Sequence, residues 1–284
     1  MSFCAPSRAK QQWTCFTLDE LQTLATAYNK TTPGRKDPID LHIIVGSKDK
    51  SEDFKKTLWF ALRNKFAPYC GDNEACWLDS IDLGKQLKST SPQAYKILNY
   101  FTLKPKGTKQ KYGWLSTTEI DYVMLQYQEL FPDFKYIGCY PSDYYKLAPS
   151  KFPKKLLDTY KNAGIVFNLD SSHQKGSHWI AIYITTDPLT KRKTVEFFDP
   201  TGKPPNKNLN EFLKNPYFKD ADVYISKKVH QRGNSECGVY SLFYILQRAK
   251  GRTMEDINSK RIADSEMNNL RTTIFRPYSE KFHM

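Results

Sequence analysis

Residues 229–242 read Val229-His230-Gln231-Arg232-Gly233-Asn234-Ser235-Glu236-Cys237-Gly238-Val239-Tyr240-Ser241-Leu242. The stretch places a lone Cys-Gly pair at the head of an apolar run, and residues 239–246 have the apolar spacing of a central helix. A thiol reacts as its thiolate, and the partial positive charge of a helix N-terminus stabilises that anion. The stretch therefore predicts that Cys237 is a nucleophile at the start of a buried helix.

Upstream of this helix, short apolar runs alternate with turn signals. β-branched and aromatic residues fill the runs, which predicts buried strands. The runs cover residues 164–169, 178–184, 194–198 and 222–226. A helix that lies against a mixed sheet makes the predicted fold class α+β.

His178 and Asp199 supply the two other groups that a thiol hydrolase needs. His178 opens the run at 178–184, and Asp199 follows the run at 194–198. If these runs are antiparallel neighbours, the start of one lies beside the end of the other. We expect His178 to act as general base and then general acid for Cys237, and Asp199 to hold its tautomer.

Gln231 and Gly238 complete the expected site. Gln231 precedes Cys237 by six positions. Its side-chain amide can donate to a developing oxyanion, together with the backbone N–H of Cys237. Gly238 is expected to contact the substrate, because glycine carries no Cβ and lets the chain pack closely against the nucleophile.

Four other histidines compete for the role of base. His230 lies nearer to Cys237 in the sequence, but on an extended segment its side chain points away from the oxyanion side. The remaining three have a polar loop or no supporting context around them: His173, His42 and His283. An isolated Asp-Pro or Cys-Gly pair is usually a turn or a packing contact, so the prediction depends on the joint pattern.

Several motifs of the chain resemble those of the ubiquitin-like-protein-specific proteases, the clan of the SUMO proteases and the adenovirus protease. They are His178-Trp179, Phe198-Asp199, Gln231 with Cys237-Gly238, and Trp114-Leu115 as a domain start. The resemblance covers about residues 112–275. It implies a papain-like cysteine protease core of the SUMO-protease type, with a central mixed sheet flanked by helices. It also implies cleavage after a Gly-Gly-like site in a narrow tunnel walled by Trp179 and Trp114.

Residues 231–241 and 257–264, followed by Met267, resemble the polyprotein-processing proteases of large DNA viruses, of the African swine fever virus type. Those proteases also carry a helical N-terminal extension. The resemblance implies a cysteine endopeptidase that matures viral structural or core proteins. One alternative is a deconjugase or processing protease for a SUMO- or ubiquitin-like modifier. Another is a basic nucleic-acid-binding scaffold with an inactive protease fold.

The chain divides by composition into a helical accessory domain, 1–111, and a catalytic domain, 112–284. Capping-box patterns at 17–20 and 116–119 open helices, the first reaching about Tyr28. Ser51 is expected to cap a second helix, and Ser91-Pro92 to open a third. Residues 41–45 suggest a short strand or buried turn, and residues 71–78 suggest a loop that leads into a packed Trp.

The formal net charge of +13 is concentrated towards the N-terminal part. Residues 1–113 carry 18 Lys and Arg against 11 Asp and Glu, and the densest basic run spans residues 104–111. Such a run can contact nucleic acid phosphates, which would make DNA a non-specific partner and a stimulating polyanion. A solvated linker between the two domains accounts for the same composition.

The remaining composition bounds the setting. Six cysteines without zinc-site spacing predict free thiols in a reducing compartment, and no metal or further cofactor is expected. The sequence has neither a signal-peptide pattern nor an apolar run long enough to span a membrane. We expect the protein in the host cytoplasm or virus factory and in the virion, and not secreted. The oligomeric state stays open.

Overall fold

The computed structural model describes residues 3–8, 13–31, 37–41, 48–147, 154–187 and 189–277. The chain forms two compact units, Met1–Lys106 with Arg276–Met284, and Gly107–Phe275. The chain therefore returns to the first unit at its C-terminal end, for which the sequence has no signal. The boundary between residues 111 and 112 stays a prediction.

The first unit is helical. Its helices are α1 (Leu18–Thr31), α2 (Lys48–Cys70), α3 (Glu74–Trp77), α4 (Ile81–Thr90) and α5 (Pro92–Ile97), and a π-helical turn follows at Leu98–Thr102. The predicted capping box before α1 is confirmed, because Thr17 N–H donates to the Glu20 carboxylate and Glu20 N–H donates to the Thr17 hydroxyl. Pro92 begins α5, also as predicted.

Two N-terminal predictions have other outcomes. The prediction that Ser51 caps the second helix is wrong, because α2 begins at Lys48 and Ser51 lies inside it. Charged residues precede Ser51, and they are compatible with a helix, so the capping preference of serine alone does not set the start. The predicted strand or turn at residues 41–45 lies, apart from Leu41, outside the described residues.

Trp77 lies at the centre of the first unit's core and is fully buried. Its ring stacks against Phe16 and Phe66, with ring centroids 5.7 Å apart in each pair. Trp59 lies 6.2 Å from the same ring. The segment at 71–78 does lead into a packed Trp, as expected, although its second half forms the short helix α3.

Two disulfides crosslink the first unit: Cys4–Cys15 and Cys70–Cys76. The prediction that these four cysteines are free thiols is therefore wrong. The spacing of the cysteines does not reveal the pairing of Cys4. A β-bridge from Cys4 to the distant residue Leu103 helps to place the N-terminal segment, and such a long-range contact leaves no signal in local spacing. Among the described residues, the free cysteines are Cys139 and Cys237.

The C-terminal return of the chain is anchored by Arg276, which is 2% exposed. Its backbone N–H donates to the carbonyl oxygen of Pro105 at 2.9 Å. Its guanidinium donates to Asn99 Oδ1 at 2.5 Å. These contacts attach Arg276 to the first unit.

The second unit is built on a five-stranded mixed sheet. Its elements are α6 (Thr117–Gln128), β1 (Phe134–Pro141), α7 (Tyr144–Leu147), α8 (Lys154–Thr159), β2 (Asn162–Asn168), β3 (Trp179–Thr186), β4 (Lys193–Phe198), α9 (Lys207–Leu213), β5 (Asp222–Ile225), α10 (Cys237–Ala249), α11 (Met254–Asn258) and α12 (Asp264–Ile274). The strand order follows the chain, with parallel outer pairs and antiparallel inner pairs. The predicted α+β fold, with a mixed sheet flanked by helices and a helical N-terminal region, is confirmed.

Apolar side chains cover both faces of the sheet. Ala181 and Tyr183 of β3 belong to the cluster that contains α10, whereas Ile180 and Ile182 belong to the cluster that contains α9. This alternation is the two-residue period of a strand that is buried on both faces. Burial on two sides fixes β3, and with it the position of the residue that precedes it.

The four predicted strands correspond to β2 through β5, and the capping box that opens α6 is present. The strand β1 was not predicted. Its sequence contains Gly138, whose φ of 142° accompanies a register shift in the pairing with β2, so the alternation is interrupted. Within the described ranges, none of the helices combines the length and the apolar character that crossing a membrane requires.

Candidate active site

Cys237 is the first residue of α10, as the sequence predicts. The N–H of Tyr240 donates to the carbonyl oxygen of Glu236 at 2.9 Å, which closes the first turn of the helix. Cys237 is 2% exposed. The thiol therefore lies at the positive end of a buried helix dipole, a location that favours an anion.

His178 and Asp199 meet at one end of the central strand pair. Strands β3 and β4 are antiparallel, with Ala181 opposite Phe198. This register brings the residue before β3 next to the residue after β4, and His178 Nε2 lies 2.8 Å from Asp199 Oδ1. The predicted adjacency of the two residues is confirmed.

The turn after β4 holds the carboxylate of Asp199 in place. The backbone N–H and the hydroxyl of Thr201 each donate to Asp199 Oδ1 at 2.7 Å. Asp199 is fully buried. The sequence reasoning recognised only a turn here and missed Thr201. An Asp two residues before a Thr is nevertheless a recognisable signal of a side-chain-closed turn.

The imidazole of His178 lies between two groups that act on its proton. Burial lowers the pKa of His178, but the hydrogen bonds to Asp199 and Cys237 and the charges of these residues outweigh that effect and raise the pKa from 6.5 to about 9. Because Nε2 faces Asp199, Nδ1 is the ring nitrogen left for the thiol. The ring is therefore protonated at neutral pH, and an imidazolium beside a thiol favours the thiolate.

Gln231 lies in the loop that leads to Cys237 and is 6% exposed. Its Nε2 donates to the carbonyl oxygen of Gly233 at 2.9 Å. An amide nitrogen carries two hydrogens, so this bond fixes the side chain and leaves one N–H for another acceptor. The structure thus adds an anchor, Gly233, that the sequence reasoning did not include.

Trp179 and Gly238 pack against each other beside the nucleophile. The indole N–H of Trp179 donates to the carbonyl oxygen of Leu115 at 2.8 Å. A Cβ at Gly238 would lie 3.1 Å from Leu115 Cβ and 3.2 Å from Trp179 Cδ1. Gly238 is therefore closely packed, because even a methyl group there would push on both neighbours. Its contact with a substrate stays a prediction.

A cavity of about 500 Å³ opens next to Trp179. Trp114 lies at this cavity and is 49% exposed, so its ring is available to a ligand. Further lining residues come from the ends of β1 and β2 and from the loop before β3: Cys139, Tyr140, Asn168, Asp170, Gln174 and Lys175. The two Trp residues that the resemblance assigns to a substrate tunnel thus line one cavity.

The sequence and fold have clear relatives. The chain is 28% identical over 299 residues to a putative thiol protease of Acanthamoeba polyphaga mimivirus, covering 99% of this chain and 96% of the relative. It is 27% identical over 252 residues to the SUMO-1 cysteine protease of African swine fever virus, covering 80% of this chain and 90% of the relative. The crystal structure of the African swine fever virus protease matches with a TM-score of 0.56 at 19% identity, over 98% of this chain and 96% of that one.

The chain is thus similar to viral cysteine proteases. The predictions of a cysteine-type peptidase, and of a resemblance to the African swine fever virus type, are confirmed. Residues 142–280, just under half of the chain, also match the family described as YopJ serine/threonine acetyltransferase.

The competing histidines of this protease are placed differently from His178. His230 is fully buried, its Nδ1 accepts the N–H of Ile262 at 3.1 Å, and its Nε2 lies 3.1 Å from Asn258 Oδ1. Both ring nitrogens are therefore occupied, which leaves none for a thiol. His173 is exposed, as expected, and His42 and His283 lie outside the described residues.

One cluster in the described part of the chain has the composition of a metal site: Cys4, Cys15 and Glu74. It belongs to the first unit, and its two sulfurs form a disulfide. Glu74 accepts hydrogen bonds from Cys15 N–H and from the indole N–H of Trp59. These contacts occupy the ligand atoms, since thiolates and not disulfide sulfurs are the ligands that a metal requires.

Proposed function

We propose that the chain is a cysteine endopeptidase that cleaves after Gly-Gly-like sites by a Cys-His-Asp mechanism and matures viral structural or core proteins. The observation that carries this proposal is the position of the His178 imidazole. It is hydrogen-bonded to the buried carboxylate of Asp199 and to the thiol of Cys237, which begins α10. No single one of these groups would distinguish an enzyme from a packed core.

The proposed reaction begins when the Cys237 thiolate attacks the carbonyl carbon of the scissile bond. The carbonyl oxygen then becomes an oxyanion, which Gln231 and the N–H of Cys237 stabilise by hydrogen bonds. The imidazolium of His178 gives its proton to the leaving amine as the C–N bond breaks. A water molecule then gives a proton to His178 and adds to the thioester carbonyl. The C–S bond breaks, the acyl fragment leaves as a carboxylic acid, and the imidazolium–thiolate pair is restored.

Packing around the nucleophile supports selection of small residues before the cleaved bond. Trp179 is held by its hydrogen bond to Leu115, and Gly238 leaves no space beneath its indole. The exposed ring of Trp114 lines the same cavity. Indole walls leave room for the backbone of glycine and exclude bulky side chains, which is the physical basis for proposing Gly-Gly sites.

A deconjugase for a ubiquitin-like modifier would use the same chemistry on an isopeptide bond. The African swine fever virus relative is called a SUMO-1 cysteine protease, which favours this second candidate. The substrate distinguishes the two: a deconjugase releases an intact modifier from a lysine side chain, whereas a maturation protease cuts within the main chain of a precursor.

Acyl transfer is a third candidate, favoured by the matching acetyltransferase family. A thiolate that attacks an acetyl thioester instead of a peptide would expel the donor's thiol and retain the acetyl group. Attack by a protein hydroxyl would then take up the acetyl group and release the Cys237 sulfur. An acetyl thioester that acetylates Cys237 and then a protein serine or threonine, without any peptide cleavage, would favour this candidate over the protease.

The deciding experiment compares the wild-type protein with the Cys237→Ala variant on viral capsid precursors, SUMO conjugates and short Gly-Gly-X peptides. We expect new N-termini directly after Gly-Gly, and loss of cleavage by a factor of about ten thousand or more in the variant. Matched peptides with Ala-Val before the bond serve as the control. Cleavage of both peptide sets at equal rates would contradict Gly-Gly selectivity, and no cleavage of any substrate would contradict the proposed function. The intracellular location and stimulation by DNA stay predictions.

A further inference from the structure

The loop between the proposed oxyanion residue and the nucleophile is held by a carboxylate that the mechanism above does not use. The backbone N–H of Arg232 lies 3.2 Å from both oxygens of Asp264, and that of Gly233 lies 3.3 Å from Asp264 Oδ2. Two consecutive peptide groups, directly after Gln231, thus donate to one side chain. Their orientation sets the direction in which the chain leaves Gln231.

Asp264 also contacts the helix that carries the nucleophile. The hydroxyl oxygen of Tyr240 lies 3.0 Å from Asp264 Oδ1 and 2.9 Å from the carbonyl oxygen of Ile262, and these two acceptors share its one hydrogen. Tyr240 is fully buried and lies one turn after Cys237 in α10. One carboxylate therefore joins the loop of Gln231 to the helix of Cys237.

Neighbouring contacts hold the same loop at its two ends. Before Gln231, the His230 ring accepts the N–H of Ile262. After Gly233, Arg271 of α12 donates to the carbonyl oxygen of Ser235 at 2.7 Å. Of these residues, Asp264 is the one whose side chain bonds to both the loop and α10. Its side chain is 22% exposed.

We infer that Asp264 is a positioning residue, which holds the amide of Gln231 at the correct place relative to the Cys237 thiol. The inference rests on the proposed function, because it assigns a role in stabilising the oxyanion of that reaction. Charge-assisted hydrogen bonds to backbone N–H groups are stronger than neutral ones. The carboxylate of Asp264 therefore restricts the conformation of the loop. Arg261 donates to Asp264 Oδ2 at 3.1 Å and orients the carboxylate.

This role affects only chemistry that forms an oxyanion. Peptide cleavage and addition of a peptide aldehyde both create a negatively polarised oxygen beside the sulfur. Alkylation by iodoacetamide forms an S–C bond and expels iodide at a methylene carbon, so it needs the thiolate and imidazolium but no oxyanion donor. The ratio of the two reactivities therefore reports on Gln231 separately from His178.

The test replaces Asp264 by Asn, which keeps the shape but leaves one acceptor oxygen for two N–H donors. In the Asp264→Asn variant we expect kcat for a Gly-Gly-X peptide to fall about ten- to a hundredfold, with little change in KM. The affinity for a peptide aldehyde that ends in glycinal should fall by the same factor. The rate of Cys237 alkylation, measured by mass spectrometry to separate it from Cys139, should stay at the wild-type value.

Glu266→Gln is the matched control, because this exposed carboxylate also lies in the first turn of α12 but accepts the N–H of Ala263, which is outside the loop. It should leave all three readouts unchanged. Tyr240→Phe, which removes one hydrogen bond to Asp264, should lower kcat about two- to fivefold, again without changing alkylation. This variant decides the question if Asp264→Asn does not fold.

Wild-type kcat and aldehyde affinity in the variants would overturn the inference. A parallel fall of alkylation and cleavage would overturn it as well, since it would indicate general damage to the site. If the wild-type protein binds the aldehyde but cleaves none of the peptides, the proposed function fails and the aldehyde affinities still decide the role of Asp264. A wild-type Cys237 that reacts with neither probe contradicts both.

Discussion

His178 and His230 belong to the same unit of the protein, but their surroundings differ completely. His178 directly precedes β3, and His230 lies between β5 and α10. The ring of His178 lies between a carboxylate and a thiol and is partly accessible, with 16% of its side chain exposed. The ring of His230 is fully buried, with one nitrogen on the N–H of Ile262 and the other on Asn258.

The two environments move the pKa in opposite directions. At His178, burial lowers the pKa, but the hydrogen bonds and charges of Asp199 and Cys237 raise it to about 9. At His230, burial lowers the pKa, and the hydrogen bond to Asn258 opposes that effect without reversing it. Proximity in the sequence to the nucleophile therefore says little about which histidine is the base. Ionised partners decide it.

The greatest loss of activity is expected when each histidine is replaced, in separate variants, by glutamine. His178→Gln should reduce kcat/KM about a thousandfold or more, because the variant has neither a base nor a proton donor. His230→Gln removes no reacting group and should keep kcat/KM within about tenfold of wild type, the loss reflecting a loosened loop before Cys237.

Peptide hydrolysis by both variants, with folding checked by circular dichroism, measures this difference. Equal losses in the two variants would break the comparison, because they would mean that His178 has no role in the chemistry beyond that of a packed ring.

Replacing Asp199 by Asn should have a smaller effect, a loss in kcat of about a hundredfold or more, because the wrong tautomer becomes accessible to His178.

The wild-type activity should decline at alkaline pH with a midpoint near 9, where the raised pKa of His178 indicates loss of the imidazolium proton. Removal of the Asp199 carboxylate lowers that pKa, so the alkaline midpoint should move to lower pH. Thr201→Ala, which leaves the carboxylate in place but removes one donor, is the milder control. An unchanged alkaline midpoint in Asp199→Asn would mean that another group titrates there.

The smallest effect is the pH dependence of the free energy of unfolding, which the two rings influence in opposite directions. Because the folded pKa of His178 exceeds its ordinary value of 6.5, its contribution is complete below pH 6.5 and is lost as the pH rises through about 9. Because the folded pKa of His230 is depressed, its contribution is present above pH 6.5 and is lost as the pH falls through the folded pKa. Chemical denaturation across this range should show a flatter alkaline side in His178→Gln and a flatter acid side in His230→Gln. The same pH dependence in both variants would contradict the assignment of opposite shifts.

The second unit is the part of the fold that local sequence patterns predict best. The strands β2 to β5 are continuous apolar runs because they are buried on both faces, and α10 begins where the apolar spacing begins. The antiparallel pairing of β3 with β4 follows from two adjacent runs joined by a short turn, and it is enough to bring His178 to Asp199. Patterns failed where a glycine interrupts the alternation, as in β1, and where capping preference competes with a helix that continues, as at Ser51.

Contacts between distant segments account for the other differences. The disulfide Cys4–Cys15 and the burial of Arg276 depend on segments that meet only in the folded first unit. The bonds of Asp264 to Arg232 and Gly233 span about thirty residues of sequence and involve backbone donors, which have no residue signature.

The identity and order of the reacting groups follow from the sequence: a thiol at a helix start, an imidazole before one strand and a carboxylate after the next. Helix dipoles and strand pairing act over a few residues, so these features can be deduced from local pattern. The folded structure was needed to show which histidine carries a proton, how the Gln231 loop is held, and which cysteines are joined. Those outcomes depend on burial and on charges contributed by remote segments, and neither is encoded in spacing along the chain.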